Sequence, residues 1–300
     1  MSNFSLWISA MRLRTLPLSV SGIIVGSCLA EYNGFFDWVI FIFAILTTLS
    51  LQILSNLAND YGDGVKGTDN QNRIGPERAV QSGRISPSSM YNAIKVNILI
   101  SIGLAFFLIF FAFNINHFTY SIIFFSLGFI CILAAIKYTM GRKAYGYRGL
   151  GDLFVFVFFG LVSVIGCYFL YSRQIDHVVF LPAFSVGLLS TAVLNLNNMR
   201  DIESDKASNK NTIPVKLGRS KAKTYHFFLV ATAIALSAIF GILYYTSVFN
   251  LIFMLAYIPL IKHLKTVYNN ENPRDLDAEL KKLALATLLL SVLLGVGQLI

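Results

Sequence analysis

Charge is scarce in this chain. Only 13% of its 300 residues are Asp, Glu, Lys or Arg, about half the ~25% usual for soluble globular proteins. So few charges could not cover the surface of a soluble protein of this length. Histidine and cysteine are scarce too, at four and three residues. Cys28, Cys131 and Cys167 all fall inside apolar stretches, with neither paired nor metal-ligand spacing. They read as small packing residues, not as a disulfide framework or a zinc site. The histidines His117, His177, His226 and His263 read as interfacial. There is no Gly-rich strand-to-helix phosphate motif, nucleophile elbow or Cys–His constellation. The N-terminal stretch lacks the short apolar core and small-residue cleavage site of a signal peptide. What is abundant is apolar: 56% of residues are hydrophobic, with 26 Phe, which excludes disorder.

The apolar residues come in runs of about twenty, the length of helix that crosses a ~30 Å hydrocarbon core. Nine such segments are expected, at about 16–32, 36–59, 93–113, 118–137, 150–171, 177–198, 224–244, 247–263 and 281–299. The long run 224–263 is split at Tyr244-Tyr245-Thr246-Ser247, read as a tight turn. Lipid-exposed backbone must satisfy its own hydrogen bonds, so these segments read as helices. They lack the alternation of outer-membrane strands. The expected fold is all-α, an integral membrane bundle of nine transmembrane helices forming a single domain over 1–300.

Lys and Arg set the orientation. With nine spans, 23 of the 24 basic residues fall on one side, and only Arg173 falls on the other. That places the N-terminus and the long loops, 60–90 and 200–222, in the cytoplasm and the C-terminus outside, in a cell membrane. The same partition accounts for the net charge of +9, so nucleic acid is not expected as a partner, nor is an obligate protein partner. Phe4, Leu6, Trp7, Ile8, Met11 and Leu13, interleaved with Arg12 and Arg14, suggest that 1–15 is an amphipathic helix on the inner leaflet. Gly22 and Gly26 form a small-xxx-small pair that marks close helix packing.

Five of the fifteen acidic residues, Asp60, Asp63, Asp69, Asp201 and Asp205, sit at the cytoplasmic ends of spans two and six. At about 100° per residue, Gln52, Asn56, Asn59, Asp60 and Asp63 share one arc of a helix. Gly62, Gly64 and Gly67 are expected to break that helix into a loop. Asn197, Asn198, Asp201 and Asp205 share a second face. Two inward carboxylate pairs at one depth would repel, by about 4 kcal/mol for two charges at ~4 Å and an effective dielectric of ~20. Divalent cations relieve this. Carboxylate and amide oxygens without His or Cys point to a hard cation, Mg2+ first. The expected metal set is Asn56, Asn59, Asp60, Asp63, Asn198, Asp201 and Asp205. The neighbouring cations Lys66, Arg73, Arg78, Lys137 and Lys210 suggest a third party carrying several negative charges, and a diphosphate fits.

Asn59-Asp60-x-x-Asp63 with Gly67-Thr-Asp69 and Arg73-Ile-Gly-Pro-Glu-Arg78 resembles the first signature of the UbiA-type membrane prenyltransferases. Asn198-x-x-Asp201-x-x-x-Asp205 with Lys210-x-Thr212 and Leu217-Gly218 resembles the second. The run Tyr147-Arg-Gly-Leu-Gly-Asp152 and Val157-Phe-Phe-Gly160 is similar to the menaquinone branch, the 1,4-dihydroxy-2-naphthoate polyprenyltransferases. The resemblance implies Mg2+-dependent transfer of a polyprenyl group from polyprenyl diphosphate to an aromatic acceptor, with a lipid bilayer around the tail. Asp60, Asp63, Asp201 and Asp205 would serve the metals, and Tyr138 would face the allylic cation, with Tyr61 and Tyr147 as weaker candidates. Two alternatives remain at this level: another acceptor, such as 4-hydroxybenzoate, and a cation-coupled secondary transporter.

Overall fold

The structure, a computed structural model, describes residues 3–68 and 74–300. Among these residues all regular structure is helical, and nine helices are long and apolar enough to cross a membrane. In chain order the helices are α1 (Asn3–Met11), α2 (Leu16–Tyr32), α3 (Trp38–Lys66), α4 (Pro87–Phe113), α5 (Phe118–Lys137) and α6 (Gly151–Ser172). They continue with α7 (Phe180–Arg200), α8 (Ile202–Ala207), α9 (Ile213–Leu217), α10 (Arg219–Leu243), α11 (Val248–Tyr268) and α12 (Leu276–Leu299). The expected turn at 244–247 falls between α10 and α11.

Local chemistry sets the ends. Asp37 accepts from Val39 N and Ile40 N, at 2.7 and 3.1 Å, to start α3. Ser86 accepts from Ser89 N at 3.1 Å ahead of Pro87 at the start of α4. Both caps satisfy helix N–H groups that have no intrahelical partner. The outward faces stay apolar: on α5, Phe129 is 61% exposed and Ile123 54%, as a lipid-facing helix requires.

Three expectations are corrected. Helix α3 does not break at Gly62 and Gly64; it runs on to Lys66 and ends at Gly67, φ +71°. The two earlier glycines serve approach instead. A Cβ on Gly62 would lie 2.5 Å from Thr139 Oγ1, and one on Gly64 2.8 Å from Val80 Cγ1. The segment 1–15 is not one helix: α1 stops at Met11, Arg12 takes a left-handed conformation, and a 3-10 turn, Leu13–Thr15, leads into α2. His226 and His263 are not interfacial but buried. Their Nε2 atoms lie 2.9 Å apart, and His263 Nδ1 lies 2.7 Å from Glu279, joining α10, α11 and α12.

Small residues draw the central helices together. A Cβ on Gly22 of α2 would stand 2.7 Å from Ser163 Cβ of α6, and one on Gly26 2.7 Å from Val164 O. Gly160 of α6 meets Gly187 of α7 equally closely. The middle of α6, Phe156–Gly166, is wound as a π-helix, a form that recurs at functional sites.

Candidate active site

The two polar clusters meet at the polar end of a cavity of about 380 Å3. From α3 come Asn56, Asn59 and Asp63; from α7 and α8 come Asn197, Asp201 and Asp205. Helical geometry explains the convergence within each element, since residues four apart stand one above the other on a single face. Beyond the polar end the walls turn apolar, with Leu108, Phe124, Leu127, Phe158, Val162 and Leu170 from α4, α5 and α6.

Lys210 sits between the clusters. Its loop folds back on α8, with Lys210 N donating to Asp205 O at 2.8 Å, which carries Nζ to 3.6 Å from Asp63 and 3.7 Å from Asp205. Burial by itself lowers the pKa of the ammonium. The two carboxylates outweigh that, and the pKa is held above the ordinary lysine value. Tyr147 closes the other side: its hydroxyl donates to Asp63 at 2.7 Å and pairs with Thr68, and its ring lies 4.1 Å below Lys66 Nζ. Burial pushes the Tyr147 phenol up, with Asp63 adding to the effect, so it stays a protonated donor. Tyr138 also lines the cavity, its phenol pushed up chiefly by burial. Tyr145 meets it edge-on at 5.3 Å and itself stacks on Phe154 at 4.0 Å.

Asp201 has a different neighbour. Arg200, 1% exposed, grips both its oxygens at 2.9 and 2.6 Å, reaches Asn197 at 3.0 Å and pairs with Asp277 at 2.5 Å. Arg14 reaches the same Asp277 at 3.3 Å, so α7, α12 and the α1–α2 junction are tied by one ionic chain.

Residues 19–294 match the UbiA prenyltransferase family. The chain belongs to that family. It is 41% identical to the 1,4-dihydroxy-2-naphthoate octaprenyltransferase of Haemophilus influenzae over 98% of this chain and 96% of the relative. Among solved structures, the apo UbiA homolog from Aeropyrum pernix K1 superposes with a TM-score of 0.71 at 17% identity, covering 95% of this chain and 97% of that one. A UbiA homolog from Archaeoglobus fulgidus, bound to DMAPP and Mg2+, superposes with a TM-score of 0.57 at 13% identity, covering 95% and 99%. The protein is thus a multi-pass membrane enzyme, an aromatic polyprenyltransferase, and the transporter reading falls away.

Within this UbiA prenyltransferase the expected site residues separate into groups. Asn56, Asn59, Asp63, Asp201, Asp205, Tyr138, Arg78 and Lys210 line the cavity. Asp69 and Arg73 lie outside the described residues. Asn198 is buried and does not line the cavity; Asn197 does, because one residue turns the side chain by about 100°. Lys137 is exposed and Lys66 donates to Thr139 O at 2.6 Å; neither lines the cavity. Asp60 is turned away as well, accepting from Ala79 N at 3.1 Å and Val80 N at 3.0 Å. Conversely, Arg12, Arg14 and Lys281 line the cavity, though the sequence reading gave them only to topology and the N-terminal amphipathic segment. Their convergence from α1–α2 and α12 has no local signal in the chain. Arg200 was passed over for the same reason.

Proposed function

We propose that this enzyme transfers a polyprenyl group from polyprenyl diphosphate to 1,4-dihydroxy-2-naphthoate, with loss of diphosphate and CO2, at the cytoplasmic face of the cell membrane. The observation that carries this is a cavity whose polar end holds Asp63, Asp205 and Lys210 and whose other end is apolar: one space suits both halves of an allylic diphosphate. The naphthoate acceptor is supported by the name of the relative that shares 41% of its residues over nearly the whole chain.

The donor set fits Mg2+. Asp63 and Asp205 already accommodate a positive charge between them, the Lys210 ammonium, and Asn59 adds an oxygen to the same wall. Among the described residues no three His, Cys, Asp or Glu side chains make a complete metal cluster, which suits an ion that takes one or two carboxylates and completes its shell with substrate phosphate. Asp63, Asp205 and Asn59 would hold the metal, Asn56 standing behind them against Met11 O and Thr15, while the oxygens of Asp201 and Asn197 are turned to Arg200. Bound there, it would neutralise charge on the leaving diphosphate.

The protein's own groups do the rest. Lys210 and Arg78 bind diphosphate oxygens as charge-assisted donors. The allylic C–O bond breaks and its electron pair leaves with the diphosphate. The aromatic wall of Tyr138, Tyr145 and Phe154 excludes water from the allylic cation and offers it ring faces. The acceptor carbon that bears the carboxylate attacks, forming the new C–C bond. The bond to the carboxylate then breaks, CO2 leaves, and its electron pair restores the aromatic ring. Arg12, Arg14 and Lys281, which line the same cavity, are placed to face the acceptor carboxylate.

The test is to incubate purified enzyme with polyprenyl diphosphate, Mg2+ and either dihydroxynaphthoate or 4-hydroxybenzoate, measuring prenylated product and CO2 together. The proposal expects product with equimolar CO2 from the naphthoate alone, abolished by chelation and restored by Mg2+. Product from 4-hydroxybenzoate without CO2 refutes the assigned acceptor.

A further inference from the structure

Asp60 stands three residues from Asp63 in the run that resembles the family's first signature, yet it faces another part of the molecule. Its carboxylate is 1% exposed. The two oxygens are engaged separately, Oδ2 by Ala79 N at 3.1 Å and Oδ1 by Val80 N at 3.0 Å. These amides open the turn 79–83, closed by Ser82 N on Arg78 O at 3.0 Å, Gly83 N on Val80 O at 3.1 Å and Ile85 N on Ala79 O at 3.0 Å. A carboxylate on successive N–H groups at the head of a turn acts as an N-cap does, with a charged acceptor. Packing seats the same turn: Ala79, Val80 and Ile85 join the apolar cluster of Leu54, Leu57 and Ala58 on α3, and the missing side chain of Gly64 makes room for Val80.

The residue immediately before the clamped amides is Arg78. Arg78 lines the main cavity, and it also lines a side pocket shared with Asp60, Arg12 and Arg14. Asp60 lines only the side pocket. We propose that Asp60 is a positioning residue: it clamps the Ala79 and Val80 amides to α3 and thereby holds Arg78 over the cavity, where Arg78 binds the donor diphosphate. For Asp60 to serve a metal in the cavity, both bonds would have to break, leaving two N–H groups unpaired in a buried turn. The inference rests on the proposed diphosphate site, and it assigns Asp60 to the guanidinium of that site, not to the metal.

The test uses the full chain in detergent with farnesyl diphosphate as the donor probe and no acceptor, so that donor affinity is read apart from turnover. Binding is measured by calorimetry across a Mg2+ series, and amide hydrogen exchange is followed over 76–83. Arg78→Gln is expected to weaken farnesyl diphosphate about tenfold, the effect of one hydrogen bond to a charged group. Asp60→Ala should match it within about twofold, and the double variant should be no weaker than Arg78→Gln alone, since residues acting as one unit are non-additive. Asp60→Asn keeps one acceptor oxygen and should fall between; it also serves if Asp60→Ala does not fold. Both Asp60 variants should bind Mg2+ with the wild-type midpoint and exchange 76–83 faster, whereas Arg78→Gln should not change exchange. A tenfold rise in the Mg2+ midpoint in Asp60→Asn, absent in Arg78→Gln, overturns the inference and makes Asp60 a ligand. Multiplicative losses in the double variant, or unchanged affinity in Arg78→Gln, overturn it as well. An enzyme that binds donor as expected but never prenylates dihydroxynaphthoate refutes the assigned acceptor and leaves this inference standing.

Discussion

Between Asp63 and Asp205, the Lys210 ammonium screens two buried carboxylates from each other and stands where donor oxygens are expected to arrive. Replacing Lys210 with Gln removes one charged hydrogen bond, about 1.5–3 kcal/mol, so donor kcat/KM should fall by roughly one to two powers of ten. Part of the loss should appear in kcat, because the departing diphosphate carries more localised charge in the transition state. Lys137→Gln is the informative contrast. Lys137 ends α5 exposed and outside the cavity, so its loss should leave donor kcat/KM within about twofold of wild type. Equal losses at the two lysines, in steady-state kinetics with the donor varied, would show that general positive potential and not contact decides affinity. Arg200 presents the opposite case, a cation whose partners are the protein's own. Arg200 holds both oxygens of Asp201 and shares Asp277 with Arg14, so Arg200→Met should cost about 1.5–3 kcal/mol, the loss of hydrogen bonds to charged groups. Thermal unfolding in detergent reads this directly, and an unchanged midpoint would mean that the ionic chain contributes nothing.

Helix α6 illustrates what an element must satisfy at once. It is pressed from one side by α2 at Gly22 and Gly26 and from the other by α7 at Gly187, while its remaining face, Phe158, Phe159 and Val162, lines the cavity. Glycine is needed where backbone meets backbone. A Cβ on Gly160 would stand 2.6 Å from both Ala183 O and Gly187 Cα, so neither α6 nor α7 could yield without shifting. Gly160→Ala should therefore destabilise by about 1–3 kcal/mol. Gly103 in α4 has nothing within 4 Å of the added carbon, and there alanine should be neutral or stabilise by up to about 1 kcal/mol, as expected for a helix interior. Opposite signs for one chemical change, measured by the same unfolding assay, would attribute the cost to the α6–α7 contact. Loss of stability at both positions would argue against it.

At the scale of the molecule, 23 of the 24 basic residues fall on one side of the nine expected spans, and the bias of Lys and Arg toward cytoplasmic loops makes that side the expected inner one. Four of these basic residues, Arg12, Arg14, Arg78 and Lys281, line the candidate cavity. In a variant whose three cysteines are replaced, a cysteine at Asn211 should react with a membrane-impermeant label only from the cytoplasm, and one at Asn116 only from outside. Both positions are exposed. Labelling of Asn211 from outside would invert the topology and move the proposed reaction to the other face.

Determinants that repeat along the chain could be read from it. A hydrocarbon core selects runs of about twenty apolar residues, which is why nine spans could be counted before any contact was known. The i, i+4 spacing of Asn59 with Asp63 and of Asp201 with Asp205 is likewise local, so the shared faces were visible in the sequence. Gly22 and Gly26 announced close packing, though not that α6 would be the neighbour. What the chain alone left open were contacts between segments far apart in sequence. Asp60 and Asp63 fall within one helical arc, and only the turn 79–83, docked by Val80 and Ile85, draws Asp60 away from the cavity. Arg200 and Asp277 are 77 positions apart, and His263 reached Glu279 only once α11 and α12 were packed together. Helix periodicity fixes which residues share a face, and the packing of helices and loops fixes what that face meets.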